Sequence, residues 1–130
     1  MQLGYTIIYV PDVPASLAFC GAAFGLKTKF LHESHMYGEL DTGSTVLAFA
    51  AHAMGVMNLP GGYVAADTSS QPLGMEIGLV TADVAAAHTQ ALAAGAQEIS
   101  APVDKPWGQV VSYLRCPDGL LVELCTPMAA

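Results

Sequence analysis

Two carboxylates stand in stretches that are otherwise apolar: Glu76 in MEIGLVT and Glu123 in LLVELC. Side chains of an extended strand alternate between its two faces. Met75, Ile77 and Leu79 then turn to one side, and Glu76, Gly78 and Val80 to the other. Val122 and Leu124 likewise turn to the core, leaving Glu123 opposite with Leu121 and Cys125. A carboxylate among apolar neighbours is costly unless it is paired or hydrated. As a pair the two acids raise one another's pKa and can act as acid and base. They equally suit a cationic ligand, a divalent metal, or plain solvation on an open sheet face, and the residues alone leave these readings open.

The other reactive residue types carry weaker patterns. His32 and His35 are three apart, which puts them on opposite faces of a strand unless a hairpin brings them together. His52 ends an apolar run just before the linker, whereas His88 lies on a helical stripe and reads as packed. Arg115, the only arginine, fits an anion clamp or a pairing with a surface acid. Cys20, Cys116 and Cys125 are odd in number and form no CxxC pair, so we expect them reduced and intracellular, with Cys20 inert on a helix. The sequence has no nucleophile elbow, phosphate-binding glycine loop or zinc-protease motif.

The elements that must hold these residues come in a repeated order. Leu3 to Val10 reads as a strand rich in Ile, Tyr and Val. A helix runs from Asp12, its cap, to Gly25, with Leu17, Cys20, Gly21 and Phe24 on one stripe. Strands are expected at Thr28 to His32, His35 to Asp41 and Thr45 to His52. Residues 53–72 contain Pro60-Gly61-Gly62 and read as a linker or lid, where Met54 and Met57 offer an adaptable apolar wall or fill a gap. The order then returns: strand Met75 to Thr81, then a helix Asp83 to Ala94 with Val84, Ala87, His88, Ala91 and Leu92 on its stripe. Strands Gln97 to Ala101, Gln109 to Arg115 and Leu120 to Cys125 complete it. Asp12-Val13 matches Asp83-Val84 at an offset of 71, and Ala15, Ala22 and Ala23 match Ala86, Ala93 and Ala94 at the same offset. An internal duplication explains this.

Composition narrows the partners. The 130 residues, 53% hydrophobic and only 12% charged, exclude a disordered chain and make one domain, with some apolar surface left for a partner. Four basic against eleven acidic residues give a net charge of −7, too few cations to neutralise nucleic-acid phosphates or hold an anionic membrane. The first residues lack the basic segment of a signal peptide, and no apolar run approaches the ~20 residues of a bilayer span, so a cytoplasmic protein is expected.

Segments IIYVPDVPASLAF with FGL, LVTADVAAAH, and above all PWGQVVSYLRCPDGLLVELCTP resemble the vicinal oxygen chelate superfamily. It contains glyoxalase I, the bleomycin-resistance proteins, fosfomycin-resistance enzymes and extradiol dioxygenases. Cys116 departs from it, since the family usually has Asp there. The resemblance implies an α+β fold of one domain, residues 1–130. Two βαβββ modules, 3–52 and 73–126 joined by 53–72, would form a curved mixed sheet around a cleft. It also implies a homodimer, often with modules exchanged between chains. Family ligands come from the first and last strands of each module, which here are Tyr5, Ala48, Glu76 and Glu123. The first module thus lacks both usual ligands, and no cofactor is expected; the alternative is nickel, zinc, manganese or iron on Glu76 and Glu123. The matching aromatic segments make Trp107 and Tyr113 candidates for ligand binding. Tyr5 and Tyr9, which alternate onto one face with Ile7 between, line the first module's side. Three readings are open. One is a bleomycin-resistance-like binder sequestering an antibiotic or metabolite. Another is a metal-dependent lyase, isomerase or dioxygenase. The third is a metal-free enzyme using the acid pair.

Overall fold

The computed structural model describes residues 1–128. Its elements are β1 (Tyr5–Val10), α1 (Val13–Phe24), β2 (Thr28–Leu31), β3 (Tyr37–Leu40), β4 (Val46–Ala51) and α2 (His52–Asn58). The second half contributes β5 (Glu76–Val80), α3 (Val84–Ala94), β6 (Gln97–Asp104), β7 (Val110–Arg115) and β8 (Leu121–Cys125). Two four-stranded mixed sheets result, ordered β1-β4-β3-β2 and β5-β8-β7-β6, so the βαβββ order occurs twice, as the internal repeat predicts. In each, the first strand runs parallel to the last and the remaining pairs are antiparallel.

Local chemistry sets the helix ends. The Asp12 and Asp83 carboxylates accept from the Ala15 and Ala86 amides, both at 3.0 Å, and occupy backbone donors that the first turn leaves free. Gly25 and Gly95 close the helices in the left-handed region, at φ 68° and 119°, where a Cβ is strained.

One core joins both halves. Helices α1 and α3 pack on each other, and Val10, Leu17, Leu40 and Phe49 share a cluster with Val84, Leu114, Val122 and Leu124. The Ser16 hydroxyl donates to Asp118 Oδ2 at 2.7 Å, and the Gln90 amide to the Ala22 carbonyl at 2.9 Å, both between modules. With one face of each sheet turned to the helices, the other faces away from them. Apolar residues exposed there include Tyr5, Ile7, Phe30 and Val80.

Several expectations change in detail. On α1 the buried stripe is Val13, Ser16, Leu17, Cys20 and Ala23; Gly21 is exposed and Phe24 only half-buried. The bond to Asp118 is what lets a serine replace them in the core. On α3, Val84, His88 and Ala91 are buried while Leu92 is 37% exposed. Met75 does not join Ile77 and Leu79, because the β5–β8 ladder begins only at Glu76. The segment after β4 opens with α2, so Met54 and Met57 are helical, and β6 extends three residues past Ala101, to Asp104. Among the described residues no helix is long and apolar enough to cross a membrane.

Candidate functional site

The second sheet brings the two acids onto one face. Glu76 pairs with Leu121 and Gly78 with Glu123, so the glutamates lie on adjacent strands, two positions apart. Gly78 makes room: a Cβ there would stand 4.0 Å from Glu123 Oε2. Tyr113, paired with Glu123 across β7 and β8, donates its hydroxyl to Glu123 Oε1 at 2.8 Å. That bond, with partial withdrawal from solvent and the charges of both acids, pushes the phenol up to about 12. Desolvation, the Glu123 charge and a hydrogen bond to it raise Glu76 above 4.5. Of the two acids, Glu76 is thus the one held above the ordinary glutamate range. Cys125, on the same face, donates its Sγ proton to the Leu79 carbonyl at 3.9 Å and is pushed up mainly by desolvation and then by Glu123, which keeps it a thiol.

An apolar cavity of about 230 Å³ adjoins this face. Ile7 and Tyr9 of β1 supply one wall, Leu121 and Met75 another, and Leu59, Tyr63, Val64 and Leu73 of the connecting segment the third. Leu121 pairs with Glu76 and precedes Glu123 by two residues, so one lining residue shares the acids' face, while the acids themselves are outside the lining. Tyr9 and Tyr63 stack with centroids 4.9 Å apart.

Tyr63 is held by residues that the sequence patterns did not single out as a group. His52 Nδ1 lies 2.6 Å from the Tyr63 hydroxyl, and Nε2 lies 2.7 Å from Asp67 Oδ1. A carboxylate only accepts, so neutral His52 must donate from Nε2 and accept the Tyr63 proton at Nδ1. Gly55 faces the Tyr63 hydroxyl where any Cβ would collide with it. Arg115 Nη2 donates to the Ala66 and Ser69 carbonyls at 2.8 and 2.9 Å. Its partner is thus the connecting segment itself, neither an anion nor a surface acid.

The remaining candidates lie elsewhere. Tyr5 is on the outer face of the first sheet, paired with Val46, and Ala48 is fully buried beside Ile7. Trp107, 57% exposed, stands in the β6–β7 hairpin, where its indole donates to Gln109 at 2.8 Å and Lys105 lies 5.9 Å over the ring. His32 and His35 lie in the exposed β2–β3 turn; a backbone bond closes it, from His35 to the His32 carbonyl at 2.9 Å. His88 is buried and packed, between the Ser112 hydroxyl at 2.9 Å and Glu98 at 2.8 Å. All three cysteines are free and buried; desolvation, then Asp118, raises Cys20 to about 12.

A divalent metal needs several converging donors with open positions for substrate. The second sheet offers two neighbouring carboxylates and a phenol, and the corresponding first-sheet positions are Tyr5 and Ala48. Among the described residues, no three His, Cys, Asp or Glu converge, so the donor set does not fit a metal within one chain.

The paired βαβββ sheets and the acid-bearing face define a protein of the vicinal oxygen chelate type. The chain belongs to the Glyoxalase/Bleomycin resistance protein/Dioxygenase superfamily, whose family model matches residues 2–124. Among solved structures it is similar to a glyoxalase/bleomycin resistance protein/dioxygenase family enzyme from Burkholderia phytofirmans PsJN. That identity is 27%, with a TM-score of 0.77, over 97% of this chain and 98% of that one. It shares its fold with a glyoxalase-related enzyme from Fulvimarina pelagi, at 23% identity and TM-score 0.81, over 98% of this chain and 88% of that one. It shares it also with TioX from Micromonospora sp. ML1, at 18% identity and TM-score 0.68, over 97% and 98%. No curated protein sequence matches it.

Proposed function

We propose that the protein binds a planar, cationic small molecule, sequestering an antibiotic or metabolite in the manner of a bleomycin-resistance protein. The observation that carries this reading is the apolar cavity walled by Tyr9 and Tyr63, one of whose lining residues, Leu121, lies on the same sheet face as Glu76 and Glu123. Apolar burial with a few convergent polar groups is the general form of a small-molecule site. The net charge of −7 steers cations toward it. Tyr113 holds the Glu123 carboxylate in place, and the exposed Trp107 offers a further ring for stacking. The reading includes a homodimer: the outward sheet faces, with Tyr5, Ile7, Phe30 and Val80 exposed, suit cover by a second copy.

The test is calorimetry on planar amines against their neutral isosteres. A charged hydrogen bond contributes about 1.5–3 kcal/mol, so Glu123→Gln should weaken a confirmed ligand roughly ten- to a hundredfold. Tyr63→Leu should weaken it by removing the stacked wall. Unchanged affinity in both variants would overturn the site.

A second reading rests on the acid pair. Glu76, its carboxyl pushed up by desolvation and by Glu123 on the neighbouring strand, is placed to act as the acid and Glu123 as its partner in a metal-free enzyme. A turnover that falls as pH rises past the Glu76 titration, and is lost in Glu76→Gln, would favour this enzyme over a binder.

A further inference from the structure

A second cavity, of about 310 Å³, shares only Gly119 with the apolar one. Its lining is polar: Asp67 and Ser69 of the connecting segment, Gln97 of β6 and Arg115 of β7, together with Gly95 at the end of α3 and Pro117 of the β7–β8 turn. Liquid water takes about 30 Å³ per molecule, so the cavity accommodates a ligand of several heavy atoms.

Two opposite charges line this cavity, each fixed from one side only. Arg115 spends Nη2 on the Ala66 and Ser69 carbonyls and on Ser69 Oγ, the last at 3.2 Å. Asp67 spends Oδ1 on His52 Nε2 at 2.7 Å. Arg115 Nη1 and Nε and Asp67 Oδ2 carry no bond among the described residues. No buried side-chain nitrogen or oxygen there lacks a partner, so these free atoms are within reach of solvent. Arg115 and Asp67 do not pair with each other, since the ion pairs among the described residues are His52–Asp67 and His88–Glu98. A half-buried charge without a partner is costly. One ligand that carries both charges answers both groups. A carboxylate accepts a charge-assisted bond from Nη1, and an ammonium donates one to Oδ2. A lone anion would have to enter against the net charge of −7 and against Asp67, and a lone cation would sit beside Arg115. A zwitterion meets neither repulsion, and the exposed Gln97 amide offers it a donor and an acceptor more.

We propose that this cavity binds a small zwitterion of the α-amino-acid type, its carboxylate on Arg115 and its ammonium on Asp67. Ser69 and His52 are positioning residues: each holds one charged group from behind and leaves its other edge to the ligand.

The probes are glycine, acetate and glycinamide, titrated at constant ionic strength and followed by amide chemical shifts of the intact protein. Glycine should shift Asp67, Gln97 and Arg115 saturably. Acetate lacks the ammonium and glycinamide the carboxylate, so each should bind roughly tenfold or more weakly. Asp67→Asn keeps an oxygen for His52 but removes the charge. It should cost glycine about the same factor and leave acetate no weaker, and unperturbed amides away from Asp67 verify its fold. If that variant does not fold, the ranking of the three probes on the parent decides. Acetate binding as tightly as glycine would reduce the cavity to an anion site, and glycinamide doing so to a cation site; either overturns the proposal. Undiminished glycine binding by folded Asp67→Asn, or no saturable shift at Asp67, Gln97 and Arg115, would overturn it as well. The planar-amine titration on Tyr63→Leu and Glu123→Gln judges the apolar cavity separately.

Discussion

At the scale of residues, Glu76 and Glu123 show how one chemical type takes two roles. Glu76 is raised by desolvation and by Glu123, whereas Glu123 accepts the Tyr113 hydroxyl, which fixes its position. The pH dependence has a definite sign. Below the ordinary glutamate range Glu76 is protonated in both folded and unfolded chains, and the pair carries no penalty. As pH rises through the folded-state value, Glu76 must ionise beside Glu123, and stability is lost. Thermal melts should therefore find Glu76→Gln more stable than the parent at neutral pH, with the gap closing toward about pH 4. A constant gap would mean that Glu123 does not raise Glu76. His88 gives a second prediction. His88→Ala would strand the buried Ser112 hydroxyl, so chemical denaturation should find it destabilised by about 1–3 kcal/mol or more.

At the scale of elements, the segment between the modules is fastened at three points. His52 holds Tyr63 and Asp67, Arg115 holds Ala66 and Ser69, and Gly119 lets the Ala66 backbone pass against the β7–β8 turn. Gly119 has φ 91° and no space for a Cβ. Gly119→Ala should cost at least about 1–3 kcal/mol through backbone strain, with the displaced segment adding to it. Limited proteolysis should cut residues 59–72 faster in this variant and in Arg115→Ala, where carbonyl anchors are lost. Cutting at the parental rate would show that the segment is held by its own packing instead.

At the scale of the whole molecule, the helices take up the inner faces of both sheets and leave the outer faces with exposed apolar residues. Light scattering at micromolar concentration should give twice the chain mass. A monomer would assign those faces to ligand alone. Elemental analysis should find no stoichiometric nickel, zinc, manganese or iron, since Tyr5 and Ala48 replace the first module's ligands. About one metal per chain, lost in Glu123→Ala, would reverse that and bring a metal enzyme back.

The sequence by itself determined the repeated strand and helix order, because the Asp caps, terminal glycines and period-two patterns are local properties of the chain. It also determined that Glu76 and Glu123 leave the core, since the alternation of EIGLV and LVELC needs no partner to be read. The resemblance carried in its closing motif named the superfamily. Tertiary structure alone decided what each polar group meets. Arg115 finds carbonyls 46 and 49 residues away, and Ser16 finds Asp118 at a separation of 102, pairings that no local pattern encodes. His52, Tyr63 and Asp67 were separate residues in the sequence, and only the path of the connecting segment makes them one network at the cavity wall.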